Sequence, residues 1–255
     1  MKKTISILGC GWLGKALAIE LIKKNYSVKG STTSSHKINE LKSIGIQAHL
    51  INISEFTLDS SEFLKSDCLI IAITSKQSDD FKQLITLIEH SAIKEIIFVS
   101  STSVYPLNNS VVTEASTIQV TPLSKIESLF LDNNKLKTTI LRFGGLFGYD
   151  RQPGNFFKND TVIKSPEGYI NFIHRDDCIG IIEQLINQGV SRTILNACSG
   201  SHPKRREFYT NAFKKTGRSE PLFNESSVND YKIINSDKLI SLLGYAFKHN
   251  NLIDY

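Results

Sequence analysis

No Cys-x-x-Cys pair occurs in this chain. Its four cysteines, Cys10, Cys68, Cys178 and Cys198, stand far apart, in or beside apolar segments. None of the six histidines falls at metal-ligand spacing from a cysteine, so the sequence predicts no metal centre. Small buried hydrophobes in a reducing compartment account for the cysteines better than a disulfide framework does. No apolar run reaches membrane-spanning length, and the strand after Met1-Lys2-Lys3 is too short for a secretory signal, so a cytoplasmic protein without a membrane partner is expected. Repeats, low-complexity tracts and linkers that would divide the chain are also missing. The formal net charge of +5 rests on scattered lysines, and the densest basic run, Lys204-Arg205-Arg206, is short. That pattern tolerates an anionic ligand but predicts no nucleic-acid partner.

What is present is an alternation of short apolar, β-branched segments with amphipathic ones. Strands are expected at 5–8, 26–29, 48–51, 68–73, 95–99 and 138–143, and helices at 15–24, 36–44, 79–91 and 122–131, the last with Pro122 in its first turn. Beyond Gly148 the regularity fades. Gly154, Pro166 and Gly168 mark loops, before helices at 175–188 and 203–216 flank a strand at 193–196. The fold class is therefore α/β, a Rossmann-type doubly wound parallel sheet. The chain reads as a single domain over 1–255, with a small C-terminal substrate lobe contributed mainly by 149–170 and 200–255.

The most informative segment is Gly9-Cys10-Gly11-Trp12-Leu13-Gly14. It follows a buried strand and opens a helix whose apolar positions include Leu13, Leu17 and Leu21, the context in which G-x-G-x-x-G signals dinucleotide binding. Gly9 permits the tight turn, Gly11 lets backbone N–H groups approach a pyrophosphate, and Gly14 lets helix and strand lie close. The helix N-terminus offers the anion a positive dipole. A chance glycine cluster in a βα turn is the plainer alternative, and the strand–turn–helix order argues against it. NAD-preferring proteins carry an acid near the end of the second strand for the ribose hydroxyls. Here that stretch is Ser31, Thr32, Thr33, Ser34, Ser35, His36 and Lys37, with no carboxylate before Glu40. Hydroxyls with Lys37 nearby suit a 2′-phosphate, so NADP is the expected cofactor, with NAD as the alternative.

Further segments carry a resemblance. Ser100-Ser101-Thr102-Ser103-Val104-Tyr105, Glu114, Leu141-Arg142-Phe143 with Gly148, Phe172-Ile173-His174-Arg175-Asp176-Asp177, and Leu243-Gly244-Tyr245 stand in the order and spacing of the extended short-chain dehydrogenases/reductases, the NAD-dependent epimerase/dehydratase superfamily. The chain resembles that superfamily over roughly residues 4 to 245. The resemblance implies a nicotinamide cofactor held by Gly9, Gly11, Trp12, Leu13, Gly14, Ala72, Ser100 and Lys125. It also implies a hydroxyl from Ser101 on the substrate, a small-molecule substrate, and a homodimer. His174 and Asp177 read as ordering the sheet edge and a loop.

One departure stands out. The superfamily's chemistry uses a Tyr-x-x-x-Lys pair, and no tyrosine of this chain has a lysine four residues on. The lysine position corresponds to Lys125, which puts Thr121 where the tyrosine belongs. An aliphatic hydroxyl titrates too high to replace a tuned phenol, although it can relay a hydrogen bond. Ser101, Lys125, Thr121 and Tyr105 are thus the candidate catalytic set, with packing as the alternative for Tyr105. Two functions follow: an NAD(P)-dependent oxidoreductase or epimerase-like enzyme on a small polar or nucleotide-linked substrate, or a non-catalytic NAD(P)-binding redox sensor.

Overall fold

The computed structural model describes residues 3–55, 60–158 and 160–254; Met1 and Lys2 of the N-terminal reading and the last tyrosine, Tyr255, lie outside them. In chain order the elements are β1 (Thr4–Leu8), α1 (Trp12–Lys23), β2 (Ser27–Thr32), α2 (Ile38–Ser43), β3 (Gln47–Leu50), α3 (Ser61–Leu64), β4 (Cys68–Ile71), α4 (Ser78–Glu89), β5 (Glu95–Ser101), β6 (Val111–Val112), α5 (Pro122–Leu131), β7 (Lys137–Phe143), β8 (Gly145–Phe147), β9 (Val162–Ile163), β10 (Phe172–His174), α6 (Arg175–Gln188), β11 (Thr193–Ala197), α7 (Arg205–Lys215), β12 (Leu222–Phe223), β13 (Ile233–Ile234) and α8 (Asp237–Leu243). The chain forms two compact units: residues 1–100, 120–141 and 182–194 make the first, and 101–119, 142–181 and 195–255 the second.

A seven-stranded parallel sheet in the order β11-β7-β5-β4-β1-β2-β3 organises the first unit. Apolar runs such as Cys68-Leu69-Ile70-Ile71 are buried along their whole length, as a strand covered on both faces requires. The order runs one way from β1 through β2 to β3 and the other way through β4 and β5. That reversal is the switch point at whose carboxyl end doubly wound sheets bind ligands. Phe81, Phe98 and Phe130 fill the layer between sheet and helices, with the rings of Phe98 and Phe130 stacked at 5.2 Å. An interior cation on β2 breaks the apolar pattern. Lys29 on β2 is buried, and its ammonium donates to the carbonyls of Glu62 and Lys65 and to the Glu62 carboxylate, satisfying groups that the four-residue α3 leaves open at its end.

Among the described residues the second unit has no comparable sheet. Its strands pair two by two, β8 with β10, β9 with β12 and β6 with β13, each in parallel. Phe147, Ile163, Ile170, Phe208, Tyr209, Phe213 and Leu252 form its apolar centre. All four cysteines are buried and unpaired. Among the described residues no helix is long and apolar enough to cross a membrane.

Candidate functional site: the glycine loop and the motif network

Two glycines of the loop are required by close approaches of backbone. Gly9 has φ +103°, and a Cβ there would lie 2.7 Å from the Ala72 carbonyl oxygen beyond β4. At Gly14 a Cβ would stand 2.1 Å from the Gly9 carbonyl, so only glycine lets α1 start this close to the turn. Gly11 is different: a Cβ there would meet nothing within 4 Å. The fold makes no demand at Gly11, and the space above it is open where a pyrophosphate would approach. Gly11 is also the N-cap of α1, with no side-chain cap and no acid in the first turn, so nothing competes with a bound anion for the dipole. Leu13 is buried beneath the loop, while Trp12 is half-buried at the first helical position.

The neighbouring hydroxyls are not equivalent. Ser31 is buried; its Oγ accepts the Gly9 N–H at 2.9 Å and its carbonyl accepts the Cys10 N–H at 2.8 Å. Ser31 therefore clamps the glycine turn. Thr32 Oγ1 accepts the Ser34 N–H at 3.1 Å, and Thr33 and Lys37 are exposed beside it. Glu40, the first carboxylate after the strand, is ion-paired with Lys15, which holds its carboxyl below the usual range.

The remaining candidates fare unevenly. Thr121 is the N-cap of α5: its Oγ1 accepts the Ser124 N–H at 3.0 Å and Ser124 Oγ accepts the Thr121 N–H at 2.8 Å, a reciprocal capping box. Its hydroxyl caps the helix. Lys125 lies exposed one turn on. Ser100 is buried and donates to the carboxylate of Glu127, a buried acid that no spacing rule pointed to. Ser101 ends β5 and accepts the Ser103 N–H at 3.1 Å, leaving it partly accessible.

In the second unit the recurring segments interlock. The Tyr105 phenol is buried, donating to Asn196 Oδ1 at 2.8 Å and accepting from the Arg142 guanidinium at 2.7 Å. Burial pushes this phenol up from its ordinary value, against the pull of Arg142. Tyr105 is thus packed and held by two hydrogen bonds. Glu114 accepts the Asn196 N–H at 2.7 Å. Asp177, fully buried, accepts from the Tyr245 hydroxyl at 2.9 Å and from the backbone N–H groups of Lys248 and His249 at 2.7 and 3.1 Å. Gly148, at φ +123°, exists because a Cβ would stand 2.3 Å from His174 Nε2. Burial drives the His174 imidazole down to about 4, so it is neutral near pH 7. Beside it lie Asp176 and His249, which sequence spacing did not connect because His249 comes from the far end of the chain.

These features can be set against known proteins. Residues 4–124 match the NAD binding domain of 6-phosphogluconate dehydrogenase. Protein YeeZ of Escherichia coli strain K12 is 30% identical over 265 residues, covering 97% of this chain and 96% of that one. The chain belongs to the YeeZ family. Among solved structures, a functionally unknown conserved protein from Silicibacter pomeroyi superposes with a TM-score of 0.84 at 17% identity, covering 99% of this chain and 96% of that one. The UDP-glucuronic acid 4-epimerase of Bacillus cereus, in complex with UDP-glucuronic acid and NAD, gives 0.81 at 19% identity, covering 98% and 96%. This YeeZ-family chain shares the Rossmann-type fold of these structures and has no Tyr-x-x-x-Lys pair.

Proposed function

We propose that the chain binds a nicotinamide adenine dinucleotide on the glycine loop and acts as an oxidoreductase or epimerase-like enzyme on a small polar or nucleotide-linked substrate. The observation that carries the reading is Gly11, a glycine that the fold does not need, standing over open space at an uncapped helix N-terminus. Backbone N–H groups of the first turn of α1 would hold the pyrophosphate. Thr33 and Lys37, exposed and unburdened by the clamp that occupies Ser31, would face a 2′-phosphate and give a preference for NADP(H). When bound, the dinucleotide supplies or accepts a hydride. The chain's own part is to orient the substrate through Ser101 and to hold positive charge at Lys125. The B. cereus structure holds a nucleotide sugar, which supports a substrate of that chemistry. Burial and lack of pairing at all four cysteines support a reducing compartment, and sedimentation of the purified chain tests the homodimer that the superfamily implies.

A specific observation favours a second reading, a non-catalytic redox sensor. Thr121 is engaged as a helix cap and Tyr105 is buried in a hydrogen-bonded network, so neither replaces the missing phenol. Calorimetry with NADPH and NADH separates the readings from a wrong site. Tighter NADPH binding, weakened several-fold by Lys37→Ala and at least tenfold by Gly11→Val, is expected. Unchanged binding in Gly11→Val would overturn the loop as the phosphate site. A carbonyl and alcohol screen with the bound cofactor then decides between enzyme and sensor: turnover lost in Ser101→Ala supports the enzyme, and a tight but inert complex supports the sensor.

A further inference from the structure

A cluster of two imidazoles and a carboxylate stands at the junction of β10 and α6. Asp176 Oδ2 lies 3.6 Å from His174 Nδ1 and 3.4 Å from His249 Nε2, and one donor atom from each of the three residues falls within 4.8 Å of the others. Ligand atoms about 2.1 Å from a tetrahedral ion stand about 3.4 Å apart, so both carboxylate–imidazole spacings match without rearrangement. We propose that His174, Asp176 and His249 bind one borderline divalent transition-metal ion, Zn²⁺ fitting their chemistry best.

The donor set carries the choice of ion. Two imidazoles and one carboxylate suit zinc and its neighbours among the first-row metals, and they suit magnesium or calcium poorly because those ions take oxygen. The carboxylate is already oriented: the Tyr149 hydroxyl donates to Asp176, at 2.9 Å from Oδ1 and 3.1 Å from Oδ2. A hydrogen bond of this kind fixes a ligand's direction and commonly accompanies metal sites. The adjacent cation, Arg175, lies over the Tyr149 ring at 4.1 Å. His174 Nδ1 also accepts the Asp176 N–H at 3.2 Å, a long bond that the ion would replace. The two imidazole rings sit 3.7 Å apart, a pairing of like groups that a shared ion would bridge. Bound there, the ion would tie the start of α6 to the C-terminal segment, with a water completing its coordination.

The test uses the untagged full chain, stripped with a chelator and titrated with ZnCl₂ by calorimetry, with Co²⁺ absorption as a second signal. One equivalent should bind, and visible Co²⁺ bands of tetrahedral intensity should appear. His249→Gln and Asp176→Asn should each weaken binding at least tenfold, whereas His36→Ala and His90→Ala, at exposed histidines, should leave it unchanged. Far-ultraviolet circular dichroism checks that each variant is folded, and having two ligand variants covers the case in which one is not. Absence of saturable binding to the wild type, or wild-type affinity retained in both ligand variants, would overturn the proposal.

Discussion

The two units of this chain hold themselves together differently. In the first, long strands and helices bury apolar residues at regular intervals, and its sensitive points are places where backbone passes close to backbone: Gly9 against Ala72, and Gly14 against Gly9. In the second, strands of two or three residues give little regular hydrogen bonding, and buried polar groups fix the chain instead. Arg142, Asn196, His174 and Asp177 are all buried there. Apolar burial is non-directional and forgiving of side-chain identity, whereas a buried hydrogen bond fails completely when one partner is removed. The first unit should therefore break on added volume, and the second on a lost polar group.

The sharpest break is expected at Asp177. Asp177→Ala leaves two buried N–H groups and the Tyr245 hydroxyl without their acceptor, and should destabilise the chain by about 3 kcal/mol or more, read from the denaturant midpoint. A Gly14→Val substitution comes next. Its Cβ meets the Gly9 carbonyl, and overpacking against backbone should cost about 1–3 kcal/mol, with a matching fall in melting temperature. The smallest effect sharpens the contrast within the first unit. Thr121→Ala removes one exposed-end cap and should cost about 1 kcal/mol, with Thr121→Ser restoring most of it. A larger loss of cofactor turnover than of stability in Thr121→Ala would mean that the hydroxyl does more than cap.

The same contrast explains what could be read in advance. The expected helices at 122–131 and 175–188 coincide with α5 and α6, because Pro122 and Asp132, or the apolar spacing itself, mark their ends locally. The strands β1, β4 and β5 were legible as apolar runs between turns. By contrast, β6 and β13 consist of two residues each and exist only through the pairing of Val111 with Ile233 and Val112 with Ile234, more than a hundred positions apart. Helix α3 escaped notice because a four-residue helix has no periodicity; it owes its end to Lys29, a charge that no pattern rule places inside a sheet. The glycine turn was legible because Gly9 and Gly14 each answer a close approach of backbone. The roles of Ser31, Ser100 and Thr121 were not, since a hydroxyl's partner decides its function and the partners are Gly9, Glu127 and Ser124.

The Ser31 clamp bears on redesign of cofactor preference. The customary way to turn such a fold toward the unphosphorylated dinucleotide is to plant an acid at the end of the second strand. At position 31 that exchange would remove the hydroxyl that holds Gly9 in its left-handed turn and set a charge in a buried spot, so the loop would be damaged before any preference changed. Position 33 is exposed and makes no such contribution to the turn. Under the proposed NADP(H) reading, position 33 is where an acid could be planted without loosening the turn.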